Sequence, residues 1–297
     1  MAICRYCGQK AGWFSEAHAE CIQKANNGIE ALKTCMADAI IQGKPYSEIK
    51  PQLDKTTAES AIPQEQALAA IKEGWSQGAE QRSKAQPIGP GEFLVINDIY
   101  RAAGLRDEDI TYKTAGSWAM SFSYVIWTVL HDKIDPYQGP IHFQLQAGEV
   151  PVFGIANVLV REERTTKSYV GGHSGMSVRV ASGLYYRFGG MQGHAVESTS
   201  LHDVDYGDFL MTTRGIYFSG TEKGINFRLP YNQIIRFQPY FDAVGICRNG
   251  AREQIFAPQR AVTAEATLVL QESGWFLFNA LQALAAKDSA VGAYRIK

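Results

Sequence analysis

Residues 206–249 read YGDFLMTTRGIYFSGTEKGINFRLPYNQIIRFQPYFDAVGICRN, and their pattern decides the fold. Gly207 opens a first strand, and Phe209, Met211, Ile216, Tyr217 and Phe218 supply apolar and aromatic weight. Residues 220–224, GTEKG, have the glycines and polar side chains of a hairpin turn. Ile225, Phe227 and Leu229 then alternate with Asn226 and Arg228, the period of a strand with one buried face. Pro230 stops that strand because it has no N–H for the ladder. Ile234, Ile235 and Phe237 start another, Val244 to Arg248 a further one, and Gln254 to Phe256 a last. The stretch is an antiparallel meander.

The whole chain has 297 residues, enough for two domains or for one with a long lead-in. A hydrophobic content of 45% and a charged content of 20% suit a globular protein with a sizeable core. Net charge is −3 over residues 1–138 and +2 over 139–297. So small an asymmetry argues against bulk attraction to nucleic acid or membrane. Five cysteines, an odd number, argue against a disulfide framework. The opening MAICRYCGQK lacks the apolar run of a signal peptide. The most apolar run, 118–130, is 13 residues, short of the roughly 20 that a membrane-spanning helix needs. No transmembrane segment is expected, and a reducing cytoplasm is the expected compartment.

Cys4 and Cys7 form a C-x2-C pair, followed after ten residues by His18 and Cys21 as H-x2-C. The first pair suits a tight turn. The second falls where a helix should begin, with Ser15 as its N-cap, and positions three apart share a helical face. Three sulfurs and one nitrogen make the closed tetrahedral set of structural zinc. A redox C-x2-C would need a strand before it and a helix directly after it, which this stretch lacks. Cys35 reads as a small packed hydrophobe. The arrangement resembles a treble-clef-like zinc knuckle, a module that binds nucleic acid, binds proteins or only caps a helix. Lys10 is the one cation between the ligand pairs, and Glu16 and Glu20 flank His18, which favours a structural or protein-contacting role.

Helical periodicity runs over 15–41, with Ile22, Ile29, Leu32 and Met36 on one stripe, until Gly43-Lys-Pro45 breaks it. A short helix is expected over 46–53 and another over 63–81, with Leu68, Ile71 and Trp75 on its stripe. Residues 81–91, QRSKAQPIGPG, read as a linker. Phe93, Ile96, Ile99 and Tyr100 mark a helix that Gly104 ends, 107–109 offer a cap, and 115–131 is apolar on most sides and should be buried. The expected organisation is a zinc knuckle and long helix (1–43), a helical region (44–138) and a β domain (139–297).

In the β domain, a strand is expected over 141–145 and another over 150–163, a long Gly-rich loop over 164–175, and a strand over 176–188 divided at Gly183. The amphipathic 274–286 closes the chain as a helix laid on a sheet. The phrases FLMTTRGIYFSG, FRLPYNQIIRFQPY and VGICRN, with that terminal helix, resemble the PH-like folds of the GRAM and bacterial PH families. LQAGE, YVGGHSGMSVRV, GLYYRFGG and GWFLFN are similar to phrases of a group of uncharacterised bacterial proteins. The resemblance covers about half the chain and implies an α+β protein whose bent antiparallel sheet is plugged by one C-terminal helix. PH-like folds serve lipid, peptide and purely structural roles, so it implies little about function. The insertion at 261–272 and the extra hairpin at 157–188 depart from the family pattern.

A phosphoinositide-type site needs converging cations. Arg164, Lys167, Arg179 and Arg187, with His173 on the Gly-rich loop, are the candidates, although Glu162 and Glu163 dilute their field. Residues 169–175 hold three glycines but lack the G-K-[ST] ending of a phosphate loop. Ser174 lies beside His173 without a nucleophile elbow. His202, Asp203, Asp205 and Asp208 match no metal loop, and a turn role suits the aspartates. No catalytic set emerges. The expectation is a non-enzymatic cytoplasmic adaptor with structural zinc that binds a protein partner through the PH-like domain. The alternatives are peripheral membrane recruitment by anionic lipid and nucleic-acid binding through the knuckle.

Overall fold

The computed structural model describes residues 2–12, 15–106, 114–173, 176–181, 184–188, 191–259 and 273–294, with those within 165–199 and beyond 288 described by their backbone alone. The protein is α+β, with helices first, then a seven-stranded curled antiparallel sheet, then a closing helix.

The helical half comprises α1 (Ala19–Gln42), α2 (Tyr46–Glu59), α3 (Gln64–Ala85), α4 (Pro90–Ala102) and α5 (Ala115–Leu130). Its core gathers Leu32, Met36 and Ile40 of α1, Ile71 and Trp75 of α3, and Ile96, Ile99 and Tyr100 of α4. The crossing of α1 and α3 is close because of two glycines a helical turn apart. A Cβ on Gly74 would lie 2.4 Å from the Lys33 carbonyl oxygen, and one on Gly78 2.8 Å from the Ala37 Cα. Trp75, buried beside them, donates its Nε1–H to the Ile96 carbonyl at 3.1 Å.

The segment 81–91 differs from its sequence reading as a linker. α3 continues through Ala85, and Pro90 begins α4, which leaves 86–89 as the connection. Polar residues hold it. Arg82 pairs with Glu92. The Ser123 hydroxyl accepts from the Ile88 N–H at 2.8 Å and donates to the Ser83 carbonyl at 3.2 Å. Both serines and Ile88 are fully buried, so the connection is pinned to the core.

The sheet runs in the order β6 (Asn226–Pro230), β5 (Gly215–Gly220), β4 (Met191–Thr212), β1 (Pro151–His173), β9 (Gln254–Pro258), β8 (Val244–Arg248) and β7 (Ile234–Pro239). β1 is the seam. It pairs with β4 along its length and with β9 over Val158 to Glu162, which joins two meanders into one curled surface. A separate hairpin of β2 (Met176–Ala181) and β3 (Leu184–Phe188) lies between β1 and β4. Within residues 206–249 the strands after Gly220 fall where the alternation and turn residues place them. The single first strand expected from Gly207 is instead the end of β4, which begins at Met191, and β5, paired with it across a tight turn at Thr213 and Arg214.

Several β expectations require correction. The expected strand over 176–188 is two strands, β2 and β3, paired antiparallel as a hairpin. Residues 164–173 are strand, paired through to His173↔Met191, and no loop. Their Thr, Ser and Gly content hid a strand defined by its ladder with β4. Residues 141–145 form no strand; Phe143 instead rests on the Tyr217 ring, 5.5 Å between centroids. The expected cap at 107–109, division at Gly183 and insertion at 261–272 lie outside the described residues, as does Ser174.

Helix α6 (Ser273–Tyr294) buries Phe276, Leu277, Leu281 and Leu284 against Phe209, Met211, Phe218, Leu229, Ile246 and Phe256 of the sheet. α5 serves both halves, with Met120 in the helical core and Phe122, Ile126 and Val129 in the sheet core. Phe122 stacks on Phe276 at 4.1 Å.

Candidate metal centre

The first ten residues fold by backbone bonding. Cys4 N–H donates to the Gln9 carbonyl at 2.7 Å, Ala11 N–H to Ala2 at 2.9 Å and Gly8 N–H to Cys4 at 2.9 Å. Gly8 takes φ 71°, the left-handed conformation that glycine adopts without a Cβ penalty. A tight turn over Cys4-Arg-Tyr-Cys7 results, with Ile3 bridged to Lys10.

The second ligand pair comes from the start of α1. His18, rather than Ser15, is the N-cap, with extended backbone (φ −71°, ψ 144°), and Cys21 follows on the first turn. Ser15 bonds locally to Ala17. The helix starts later than the sequence suggests because His18 leaves helical geometry, where its ring reaches back to the turn.

Sγ of Cys4, Cys7 and Cys21 and a ring nitrogen of His18 all lie within 4.8 Å of one another. His18 Nδ1 is 3.4 Å from the Cys7 sulfur and 3.8 Å from the Cys21 sulfur. A tetrahedral ion with metal–sulfur bonds of about 2.3 Å and a metal–nitrogen bond of about 2.0 Å sets its ligands roughly 3.5–3.8 Å apart. The other ring nitrogen, Nε2, is 3.1 Å from the Lys10 carbonyl oxygen. A carbonyl only accepts, so Nε2 carries the proton and Nδ1 offers its lone pair to the sulfurs. The four side chains form a set that can hold one metal ion.

The electrostatics fit a cation. Burial raises the Cys4 thiol, but backbone N–H groups of Cys7, His18 and Tyr6 outweigh it and bring the value down to about 6. Cys21 is pushed up to about 11, by burial first and then by the sulfurs of Cys7 and Cys4. Three sulfurs thus compete for negative charge in one small space, a conflict that a bound cation relieves. Cys4, Ala11 and Ala17 make a small core with Tyr6 and Cys21, and Tyr6 also packs against the helical core.

Gly8, the Lys10 carbonyl and the Tyr6 anchor were missed in the sequence. Gly8, directly after the second cysteine, was a readable signal for a left-handed turn. A backbone carbonyl leaves no mark in sequence.

The other candidates are not gathered in this way. Among the described residues no second cluster of three His, Cys, Asp or Glu donors has the closeness a metal needs. Asp203 pairs with Arg161 at 2.9 Å, and His202 Nε2 lies 3.0 Å from the Ser200 hydroxyl. Asp205 accepts from the backbone N–H groups of Tyr206 (2.8 Å), Ile225 (3.0 Å), Glu222 (3.1 Å) and Lys223 (3.1 Å). It is a turn-forming aspartate acting across the sheet on the β5–β6 hairpin. The buried Glu149 accepts from the Thr212 hydroxyl, from the Tyr217 hydroxyl at 2.6 Å and from the Gln146 N–H at 3.0 Å, which ties 146–149 to the sheet.

Arg164 approaches Glu162 at 4.0 Å. Lys167 falls opposite Glu197, and His173 opposite Met191, nine positions beyond Arg164 on the same strand. At roughly 3.3 Å per residue that is about 30 Å of extended chain. Arg179 and Arg187 lie on the β2–β3 hairpin, opposite Tyr185 and Ser177. No described helix is long and apolar enough to cross a membrane. Comparison with protein families gives no match to this chain, and comparison with curated proteins gives none either.

Proposed function

We propose that Cys4, Cys7, His18 and Cys21 hold a structural zinc ion, and that the protein is a non-enzymatic adaptor recognising a protein partner through a PH-like β domain. The observation that carries the zinc reading is the closed donor set: three sulfurs and a nitrogen within 4.8 Å of one another, with the histidine oriented by Lys10. Zinc bound there supplies a rigid cross-link between the C-x2-C turn and α1, and four protein ligands leave no position for a substrate. The thiolate-rich set suits a reducing cytoplasm.

The PH-like reading is supported by a four-stranded set (β6-β5-β4-β1) joined through the β1–β9 pairing to a three-stranded one (β9-β8-β7), with α6 filling the curl. The partner surface we favour is the β7–β8 hairpin. Among the described side chains of the sheet it leaves Ile235 (67%) and Phe241 (68%) the most exposed large hydrophobics, with Tyr240 beside them. The anionic-lipid alternative rests on Arg164, which approaches Glu162, on Lys167 opposite Glu197, on His173 further along β1, and on Arg179 and Arg187 of a separate hairpin. The nucleic-acid alternative rests on a knuckle with Lys10 as the one cation between its donor pairs.

Affinity capture with the tagged full chain tests the reading. A one-to-one protein partner, lost in Phe241→Ser while that variant melts at the wild-type temperature, supports it. Absence of any stoichiometric partner, or full retention by the variant, counts against it.

A further inference from the structure

The turn that carries Cys4 and Cys7 also builds one wall of a cleft. Arg5 and Tyr6 face the end of α2, the α2–α3 connection and the start of α3 across a volume of about 690 Å³. Small-molecule sites usually measure about 300–1,000 Å³ and pair an apolar lining with a few placed polar groups. The floor here is apolar: Ile62, Ala67 and Ile71 line it and are buried, and Leu68 stands at the rim.

The polar lining is asymmetric. Among the described residues of the lining the exposed Arg5 is the one cation, and its guanidinium lies 5.0 Å from the centroid of the Tyr6 ring. Among the described residues no carboxylate is within ion-pair distance of it. Asp54, the one carboxylate on the lining, is engaged by Lys50, and Thr57 donates its hydroxyl proton to the Leu53 carbonyl at 2.9 Å. Gln64, the first residue of α3, also lines the cleft, and no side chain caps that helix start. Its free N–H groups add positive potential to the lining, offset in part by Glu65 in the same turn.

We propose that this cleft binds a small amphipathic carboxylate. The hydrocarbon body covers Ile62, Ala67 and Ile71, and the acid meets the Arg5 guanidinium, whose paired N–H groups match a carboxylate. A neutral apolar molecule would cover the same floor and leave the cation without a partner.

Titration of the isotope-labelled full chain with sodium octanoate, and separately with 1-octanol, tests the proposal by amide NMR. Octanoate is expected to shift the Ile62, Ala67 and Ile71 amides saturably and to bind about tenfold more tightly than octanol, the ratio expected if the Arg5 contact contributes about 1.4 kcal/mol. Arg5→Gln should erase that preference and leave octanol binding unchanged. Ala58→Trp, which fills the cleft from an exposed position on α2, should abolish both. The absence of a saturable shift, octanol binding as tight as octanoate, or undiminished octanoate binding in either variant would overturn the proposal.

Discussion

Ala61 shows how one side chain sets a local cost. α1 ends on Gly43 at φ 67°, whereas the same left-handed position after α2 is held by Ala61 at φ 50°. Both ends satisfy their carbonyls alike: Lys44 N–H donates to Ala39, and Ile62 N–H to Thr57. Ala61→Gly removes the Cβ penalty and should stabilise the protein by about 1 kcal/mol in urea denaturation. Asp205 adds a pH dependence. Burial raises its carboxyl, but N–H groups of Ile225, Lys223, Glu222 and Tyr206 outweigh that and hold it below the usual carboxylate range. A lowered folded value contributes stability above the unfolded value of about 4, and that stability disappears as pH falls through the folded value. Asp205→Asn should therefore flatten the acid limb of a melting-temperature profile between pH 2 and 6. An unchanged limb would remove Asp205 from the account. The clustering of Cys4, Cys7, His18 and Cys21 was legible because their chemistry is local and their spacing carries geometry. Asp205 was legible as a turn former, but its partners 17 to 20 positions away were not.

Among the elements, the strands from β6 to β9 were the most readable, since period-two alternation and GTEKG specify strands and turns within a few residues. The turn between β4 and β5, at Thr213 and Arg214, carries no glycine or proline to mark it. The β1 extension over 164–173 was not, because Thr, Ser and Gly show no alternation and only the ladder with β4 makes them strand. The α3 end was obscured for the opposite reason. Its polar residues look solvent-facing, yet Ser83 is fully buried and Arg82 is paired. Gly74 and Gly78, a residue type that weakens a helix interior, serve as the contact surface for α1. Gly74→Ala gains helix propensity of about 1 kcal/mol. The new methyl meets the Lys33 backbone, which cannot rotate away. Overpacking of about 1–3 kcal/mol should outweigh the gain, so the variant is expected to unfold at lower urea. A more stable variant would show that the α1–α3 crossing has slack.

The whole protein is held together by α5, whose sides face two cores. Its apolar pattern announced burial, but a helix buried all round does not reveal its neighbours, and the Phe122–Phe276 stack spans 154 positions. Phe276→Ala should cost about 3–5 kcal/mol. Because α5 shares both cores, far-UV circular dichroism and tryptophan fluorescence should still report one coincident transition. Two separated transitions would mean that the halves unfold independently. The N-terminal turn joins this body through Tyr6, so the proposed zinc would clamp one end of the helical core. The direct test of that clamp is metal content with X-ray absorption on the purified full chain. The expected result is one zinc per chain, bound by three sulfurs at about 2.3 Å and one nitrogen at about 2.0 Å, and lost in Cys7→Ser. Well under one zinc per chain, or a zinc shell dominated by oxygen, would contradict it.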